Sequence, residues 1–253
     1  MKQTDGKRRL NFLITNDDGI QGEGLLLLAQ AAAKLGDVWV LAPEQQCSAM
    51  SSRMTIHKKM RLKRSQWPEL CEVTQAAWSL DGMPVDCVKA ALNYCMPLRP
   101  DFVLSGVNCG YNTAFDVRYS GTIGAAMEGL TNGIPSIAFS SGCDSWETAT
   151  AYLPGLLAEL IRTPVGKNEI LNVNFPDCPA EQCRGIRRDL IPAPRFLYDD
   201  AITVTEDSDG SIWLSEDGEL LPMDDLPRGT DAEAIHECYI AIGRLCCPEI
   251  YRS

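Results

Sequence analysis

The feature that most constrains this chain is the run LNFLITNDDG at residues 10–19, an apolar segment closed by two adjacent carboxylates and a glycine. Leu10, Phe12, Leu13 and Ile14 suit a strand buried on both faces, the pattern of a parallel sheet. Asp17 and Asp18 follow at once, with Asn16 before them, so the pair falls just past the strand's carboxyl end. In open α/β sheets that edge is where ligands bind. Side-by-side carboxylates repel each other and are stable there mainly when a cation sits between them. The same pair also reads as a capping turn, since either Asp can N-cap the helix that follows. This stretch alone leaves both readings open.

The pattern then repeats. Gly22 and Gly24 open a predicted helix at residues 25–35, closed by Gly36, and residues 38–42 form a short apolar strand ending at Pro43. That is a β-α-β unit, which implies parallel strands. Residues 43–55 make a loop dense in hydroxyl side chains, and residues 54–73, polar and basic, read as an antiparallel excursion. A helix starts near Pro84 with Val85, Val88, Leu92 and Cys95 on one face. Residues 101–105 form the next buried strand, 120–132 a helix, 136–140 a strand, 146–162 an amphipathic helix and 170–175 the last strand of the series. Such alternation predicts an α/β fold built on a doubly wound, mostly parallel sheet.

The composition changes after Pro176. Residues 202–205 and 211–214 flank Asp209 and Gly210, a hairpin signal, acidic residues crowd 217–225, and residues 239–242 suit a final strand. No helical pattern of any length is visible there. The expected division is a catalytic core at 1–185 and a β-rich arm at 186–253.

With 253 residues, 45% of them hydrophobic, the chain can bury one sizeable domain with an appended arm. No apolar run is long enough to span a membrane, and the opening MKQTDGKRR lacks the apolar segment of a signal peptide, so Lys7, Arg8 and Arg9 read as a solvated lead-in. A formal net charge of −11 argues against a general nucleic-acid binder. It leaves room for a small phosphorylated substrate if a metal supplies local positive charge. The eleven cysteines are odd in number and contain no CxxC pair. Cys178 and Cys183 are spaced too loosely for a zinc half-site, Cys246 and Cys247 are merely vicinal, and His57 and His236 are the imidazoles available. Reduced, mostly buried thiols in a cytoplasmic protein are expected.

Three loops converge on the same sheet edge in this reading, bringing Asp17 and Asp18, then Ser48, then Asn108 and Asn112. Each offers oxygen, which suits Mg²⁺ or Mn²⁺ and fits zinc or copper poorly. Next, YSGTIG at 119–124 opens a helix with free N–H groups and two hydroxyls, an anion site by geometry, although Ser120 is also an ordinary N-cap. A metal site beside an anion site points to a phosphate ester. A phospho-aspartate scheme of the DxDG kind would need a nucleophile where Asn16 stands. A receiver domain would need an Asp at the end of the middle strand, where SGVN stands, and the glycines read GxxGxG, not the dinucleotide pattern GxGxxG. A metal-activated water is the simplest remaining attacker.

NDDG at 16–19, SGVNCGYN at 105–112, YSGTIGAAMEG at 119–129 and NVNFP at 172–176 together resemble the SurE (survival protein E) family, metal-dependent nucleotidases that remove phosphate from nucleoside monophosphates. The likeness covers residues 10–176 in order, with a weaker echo at Gly229, Thr230 and Asp231 and at 239–242. It implies a Rossmann-like core and one divalent ion, Mg²⁺ or Mn²⁺, per subunit on Asp17, Asp18, Ser48 and Asn108. It further implies that Ser120, Gly121 and Thr122 hold the phosphate, with Asn16, Asn108 and Asn112 beside it. Asp17 or Asp18 is then the group that orients the water. A homodimer or homotetramer with the arm exchanged between subunits is also implied. The chain departs from the family after Pro43, where Gln45, Gln46, Cys47 and Ser48-Ala49 replace the usual basic residues and Ser-Gly, and Arg53 restores one positive charge. The expected function is a phosphomonoesterase for nucleoside monophosphates, without a nucleic-acid or membrane partner. The alternative is a non-catalytic, metal-dependent nucleotide or phosphate sensor.

Overall fold

The computed structural model describes residues 8–199, 201–216, 221–223 and 225–247. In chain order the elements are β1 (Leu10–Thr15), α1 (Glu23–Ala33), β2 (Gly36–Pro43), β3 (Leu62–Arg64), α2 (Pro68–Val73), β4 (Ala76–Leu80), α3 (Pro84–Ala90), β5 (Phe102–Cys109), α4 (Gly121–Thr131), β6 (Ser136–Ser141), α5 (Glu147–Leu160), β7 (Glu169–Phe175), β8 (Ile186–Leu190), β9 (Ile202–Glu206), β10 (Ile212–Glu216), α6 (Asp231–His236) and β11 (Ile240–Cys246). A π-helical turn, Ala91–Cys95, continues α3, and 3-10 turns occupy Ala114–Arg118 and Ala180–Gln182.

Nine strands form one sheet in the order β3-β4-β2-β1-β5-β6-β7-β11-β8. From β4 to β7 every neighbouring pair is parallel, which is the expected doubly wound core. β1 lies between β2 and β5, the place where the chain stops building toward one edge and starts toward the other. Its burial follows from its residues. Phe12 and Ile14 pack with Leu25, Leu28 and the α5 leucines on one face, while Leu13 packs with Val88, Ala91 and Ala125 on the other, and all three are fully buried. Alternation of side chains along a strand puts an apolar residue on each covered face.

Several expectations need correction. Gly36 is the first residue of β2, not a helix terminator; a Cβ there would lie 2.3 Å from the Leu10 carbonyl oxygen. Of the stretch 54–73, only β3 pairs antiparallel, with β4, and Pro68 starts a short helix instead. β4 itself was not foreseen, because AAWSL has neither alternation nor β-branched residues to mark it; it is held by parallel pairing with β2. Beyond Pro176, β11 runs antiparallel to β7 and β8 parallel to β11, so both extend the main sheet, and α6 is a helix of six residues. The hairpin is as expected: β9 and β10 form a separate two-stranded sheet with Gly210 at φ +84° in its turn. Much of the acidic stretch 217–225 lies outside the described residues. The thiols are not all reduced. Cys109 and Cys143 form a disulfide, their Cα atoms brought to 4.9 Å by the pairing of Cys109 with Ser141, and only Cys47, Cys87 and Cys178 of the other nine are buried. Among the described residues no helix is long and apolar enough to cross a membrane.

Candidate active site

The acidic turn lies at the carboxyl end of β1, at the switch point of the sheet, where α/β folds leave a crevice. Asn16 closes the turn on itself: its amide nitrogen donates to the Gly19 carbonyl at 2.9 Å, and the Gly19 N–H donates back to its Oδ1 at 3.2 Å. Asn16 is fully buried, so the structure gives it to the turn. Gly19 has φ +96°, a conformation glycine adopts without strain. The carboxylates that follow are thereby pointed to different neighbours.

Asp17 faces α4. The Thr122 hydroxyl donates to its Oδ1, and the Cys47 N–H donates to its carbonyl at 2.7 Å. Gly121 makes this approach possible, since a Cβ there would lie 2.9 Å from Asp17 Oδ2. Asp18 faces β5, where the Cys109 N–H donates to its Oδ2 at 3.0 Å. Asp17 is 4% exposed, and burial is the main reason its pKa rises from 3.8 to about 6, with the neighbouring Asp18 adding to the rise and the Thr122 bonds opposing it. Burial also raises Asp18, against the Cys109 N–H. No ion pair to either carboxylate is seen among the described residues. Adjacent carboxylates, one buried and one half-buried, without a basic partner are the arrangement a bound divalent cation relieves.

The other expected ligands sit on adjoining loops. The register of β5 against β6 shifts between Ser105 and Asn108, a bulge that re-aims the strand end. Asn108 is half-buried, and its amide nitrogen donates to the Gly110 carbonyl at 2.9 Å, which leaves Oδ1 as its ligand-capable atom. Ser48 follows Cys47, whose N–H is on Asp17; it is exposed, and its oxygen accepts from Gln46 at 3.0 Å. Carboxylate, amide and hydroxyl oxygens fit a hard ion. Arg53 is close enough for its charge to act on the Cys47 thiol, so the loop retains one cation near the turn.

Ser120 N-caps α4, accepting from the Ile123 N–H at 3.1 Å, and its hydroxyl hydrogen remains a donor. The first-turn amides of α4 and the helix dipole add to that donor set. Thr122, expected to hold phosphate, gives its hydroxyl to Asp17. Asn112 points inward. Its N–H donates to Asn174 Oδ1 at 2.8 Å, its amide nitrogen donates to Ser140 Oγ at 2.7 Å, and its carbonyl accepts from Asn172 and Asn174 at 2.8 and 3.2 Å. The roles of Asn172 and Asn174 were missed from sequence, although NVNFP stood out as a motif; two asparagines on one face of a buried strand were the available signal. A cavity of about 1140 Å³ beside Ile20 and Gln21 is lined by Glu44, Lys63, Arg64 and Trp67. Asp17, Asp18 and Ser120 do not line it, so it is not the phosphate cradle.

The family model described as survival protein SurE matches residues 12–191. The chain belongs to the SurE family. Relatives called 5'-nucleotidase SurE include that of Methylocella silvestris, 35% identical over 246 residues and 92% of each chain. That of Gemmatimonas aurantiaca is 38% identical over 240 residues, 92% of this chain and 91% of the relative. The crystal structure of the SurE protein from Aquifex aeolicus matches with a TM-score of 0.77 at 29% identity, covering 93% of each chain. The SurE family model thus spans the switch point, the α4 cradle and β8 alike.

Proposed function

We propose that this SurE chain is a 5'-nucleotidase, a phosphomonoesterase that hydrolyses nucleoside monophosphates. The observation that carries the reading is the adjacent carboxylate pair without a basic partner, Asp17 buried against the N-terminus of α4 and Asp18 half-buried beside it. Relatives of nearly equal length bearing the name 5'-nucleotidase SurE supply the substrate class.

Asp17, Asp18, Ser48 and Asn108 would hold one divalent ion, Mg²⁺ or Mn²⁺. Such an ion, when bound, lowers the pKa of water and offsets phosphate charge. The chain's own residues do the rest. Ser120 and the first amides of α4 bind the phosphate oxygens and become stronger partners as negative charge builds on them. Thr122 fixes the rotamer of Asp17, and the Cys109 N–H fixes Asp18, so the carboxylates are oriented before substrate arrives. Asp17 or Asp18 accepts the proton of the attacking water. The exposed apolar side of the β9–β10 hairpin supports association into a homodimer or homotetramer. A cytoplasmic setting fits the nine free thiols, and the Cys109–Cys143 disulfide weighs against it.

The test is phosphate release from a panel of nucleoside monophosphates by purified protein, before and after exhaustive chelation. Activity that disappears on chelation and returns with Mn²⁺ or Mg²⁺ is the expected result. No release from any nucleotide with metal present, or release indifferent to chelation, refutes the proposal.

A further inference from the structure

The segment between β5 and α4 delivers Ser120 to the cradle; distant parts of the chain hold it at Arg118 and Tyr119 (Ser51), at Phe115 (Arg195) and at Asp116 (Leu197), and two further tethers hold its start. At its start are the Asn112 bonds to Ser140, Asn172 and Asn174 described above. The second tether is a carboxylate. Ala114 is fully buried and has φ +56°, the left-handed region that a non-glycine residue seldom occupies. Its N–H donates to both oxygens of Asp231, at 3.2 and 3.1 Å. Asp231 is 4% exposed and also accepts the N–H groups of Ala193 at 2.9 Å and Ala232 at 2.8 Å, so one carboxylate joins three segments. From Ala114 the 3-10 turn Ala114–Arg118 leads directly to Tyr119 and the Ser120 cap. Left-handed backbone persists only where its surroundings over-determine it, and such residues cluster at functional sites.

We propose that Asp231 is a positioning residue: by holding the left-handed turn at Ala114 it sets where Ser120 and the first amides of α4 meet the phosphate. The proposal rests on the phosphomonoesterase reading. Nothing else in the described contacts accepts the Ala114 N–H. Without that acceptor the buried amide is unpaired and the residue relaxes toward the right-handed region, carrying the 3-10 turn with it. A displacement near 1 Å at a reacting group can cost on the order of 100-fold in rate.

Asp231→Asn separates the links. The amide oxygen can still serve Ala193 and Ala232 and keeps only the longer contact to the Ala114 N–H, at 3.2 Å, whereas the –NH₂ group replaces the nearer acceptor, at 3.1 Å, with a donor that opposes the Ala114 N–H. The expected result is a fall in kcat of about 10-fold or more, with inhibition by inorganic phosphate weakened by a similar factor. Mn²⁺ affinity measured by calorimetry should stay within about twofold, because no metal-ligating residue is bonded to Asp231. Adding Ala114→Gly should recover most of the phosphate affinity, since glycine holds a positive φ without help. The same double variant is decisive if Asp231→Asn alone does not fold. Unchanged phosphate inhibition, parallel loss of Mn²⁺ and phosphate binding, or no rescue by glycine would overturn the assignment. Should the unmodified protein release no phosphate, the functional reading fails by itself, and the assignment is then judged on calorimetric binding of inorganic phosphate. No phosphate binding to the unmodified protein overturns both.

Discussion

Asp17 shows how one residue is prepared for a partner at the expense of stability. Its pKa of about 6, raised mainly by burial, means that between pH 4 and 6 the metal-free folded state binds more protons than the unfolded state. Stability therefore falls as pH rises through that window and is flat above it; Asp231, also raised to about 6 by burial, acts with the same sign. Asp17→Asn in chelator should accordingly stabilise the protein at pH 8 by up to roughly 3 kcal/mol, two pKa units at 1.36 kcal/mol each, and leave it unchanged near pH 4. Denaturant unfolding at the two pH values checks this, and a variant less stable at pH 8 would remove the argument. Metal affinity and turnover should both drop in the same variant. Ser120→Ala should lower stability by about 1 kcal/mol through loss of the cap. It should also slow turnover by about 10-fold or more through loss of the donor. Steady-state kinetics beside a melting curve separate the two effects, and an unchanged kcat would reduce Ser120 to a cap. The positions of both residues were legible in the sequence, since a run of apolar residues ends at the one and a glycine-rich helix start follows the other. Where Asn16, Asn112 and Thr122 turn their polar groups was not legible. Those choices depend on partners such as Ser140, Asn174 and Asp17, and in two of the three cases the partner lies far along the chain.

Elements buried on two faces announced themselves, because β1, β5, β6 and β7 each carry a cluster of apolar residues that a covered sheet satisfies. β4 and β8 did not, since AAWSL and IRRDL owe their strand conformation to the neighbour that each pairs with. The Cys109–Cys143 bridge is invisible for the same reason: it follows from β5 lying against β6, a pairing that spacing alone does not specify. The bridge closes a loop with a sequence separation of 34, for which chain entropy gives roughly 3–4 kcal/mol of stabilisation. Reductant should therefore lower the Tm by about 5–10 °C. Cys143→Ser should melt at the reduced protein's temperature and ignore reductant. Scanning calorimetry with and without a phosphine reductant measures this, and a wild-type Tm indifferent to reductant would deny the bridge a stabilising role. Since the Cys109 N–H also orients Asp18, the same variant tests whether the bridge steadies Asp18.

At the scale of the whole molecule, the hairpin is the part that the described fold does not complete. Strand pairing sets Val204 opposite Leu214 and Ile212 opposite Glu206, so Ile202, Val204, Ile212 and Leu214 share one face. They are 59%, 61%, 65% and 66% exposed, whereas Trp213, on the other face, has its indole N–H on Asp207 at 2.6 Å. Burying each of four such side chains is worth roughly 1.5–3 kcal/mol, and a lone two-stranded hairpin is marginal in water. A second copy of the chain offers the same face, and exchange of identical elements gives a closed dimer without a second kind of surface. Removing everything after Pro176 would be a poor test, because β8 and β11 belong to the main sheet. A sharper one is the pair Val204→Glu and Leu214→Lys, which keeps a cross-strand attraction in the hairpin while making the shared face polar. Light scattering should give a multiple of 27.8 kDa for the unmodified chain and 27.8 kDa for the double variant. Metal-dependent turnover at low protein concentration should report whether the hairpin serves assembly alone. A monomeric unmodified chain at micromolar concentration would mean that the face is covered by its own subunit or by none, and the exchange would have to be abandoned.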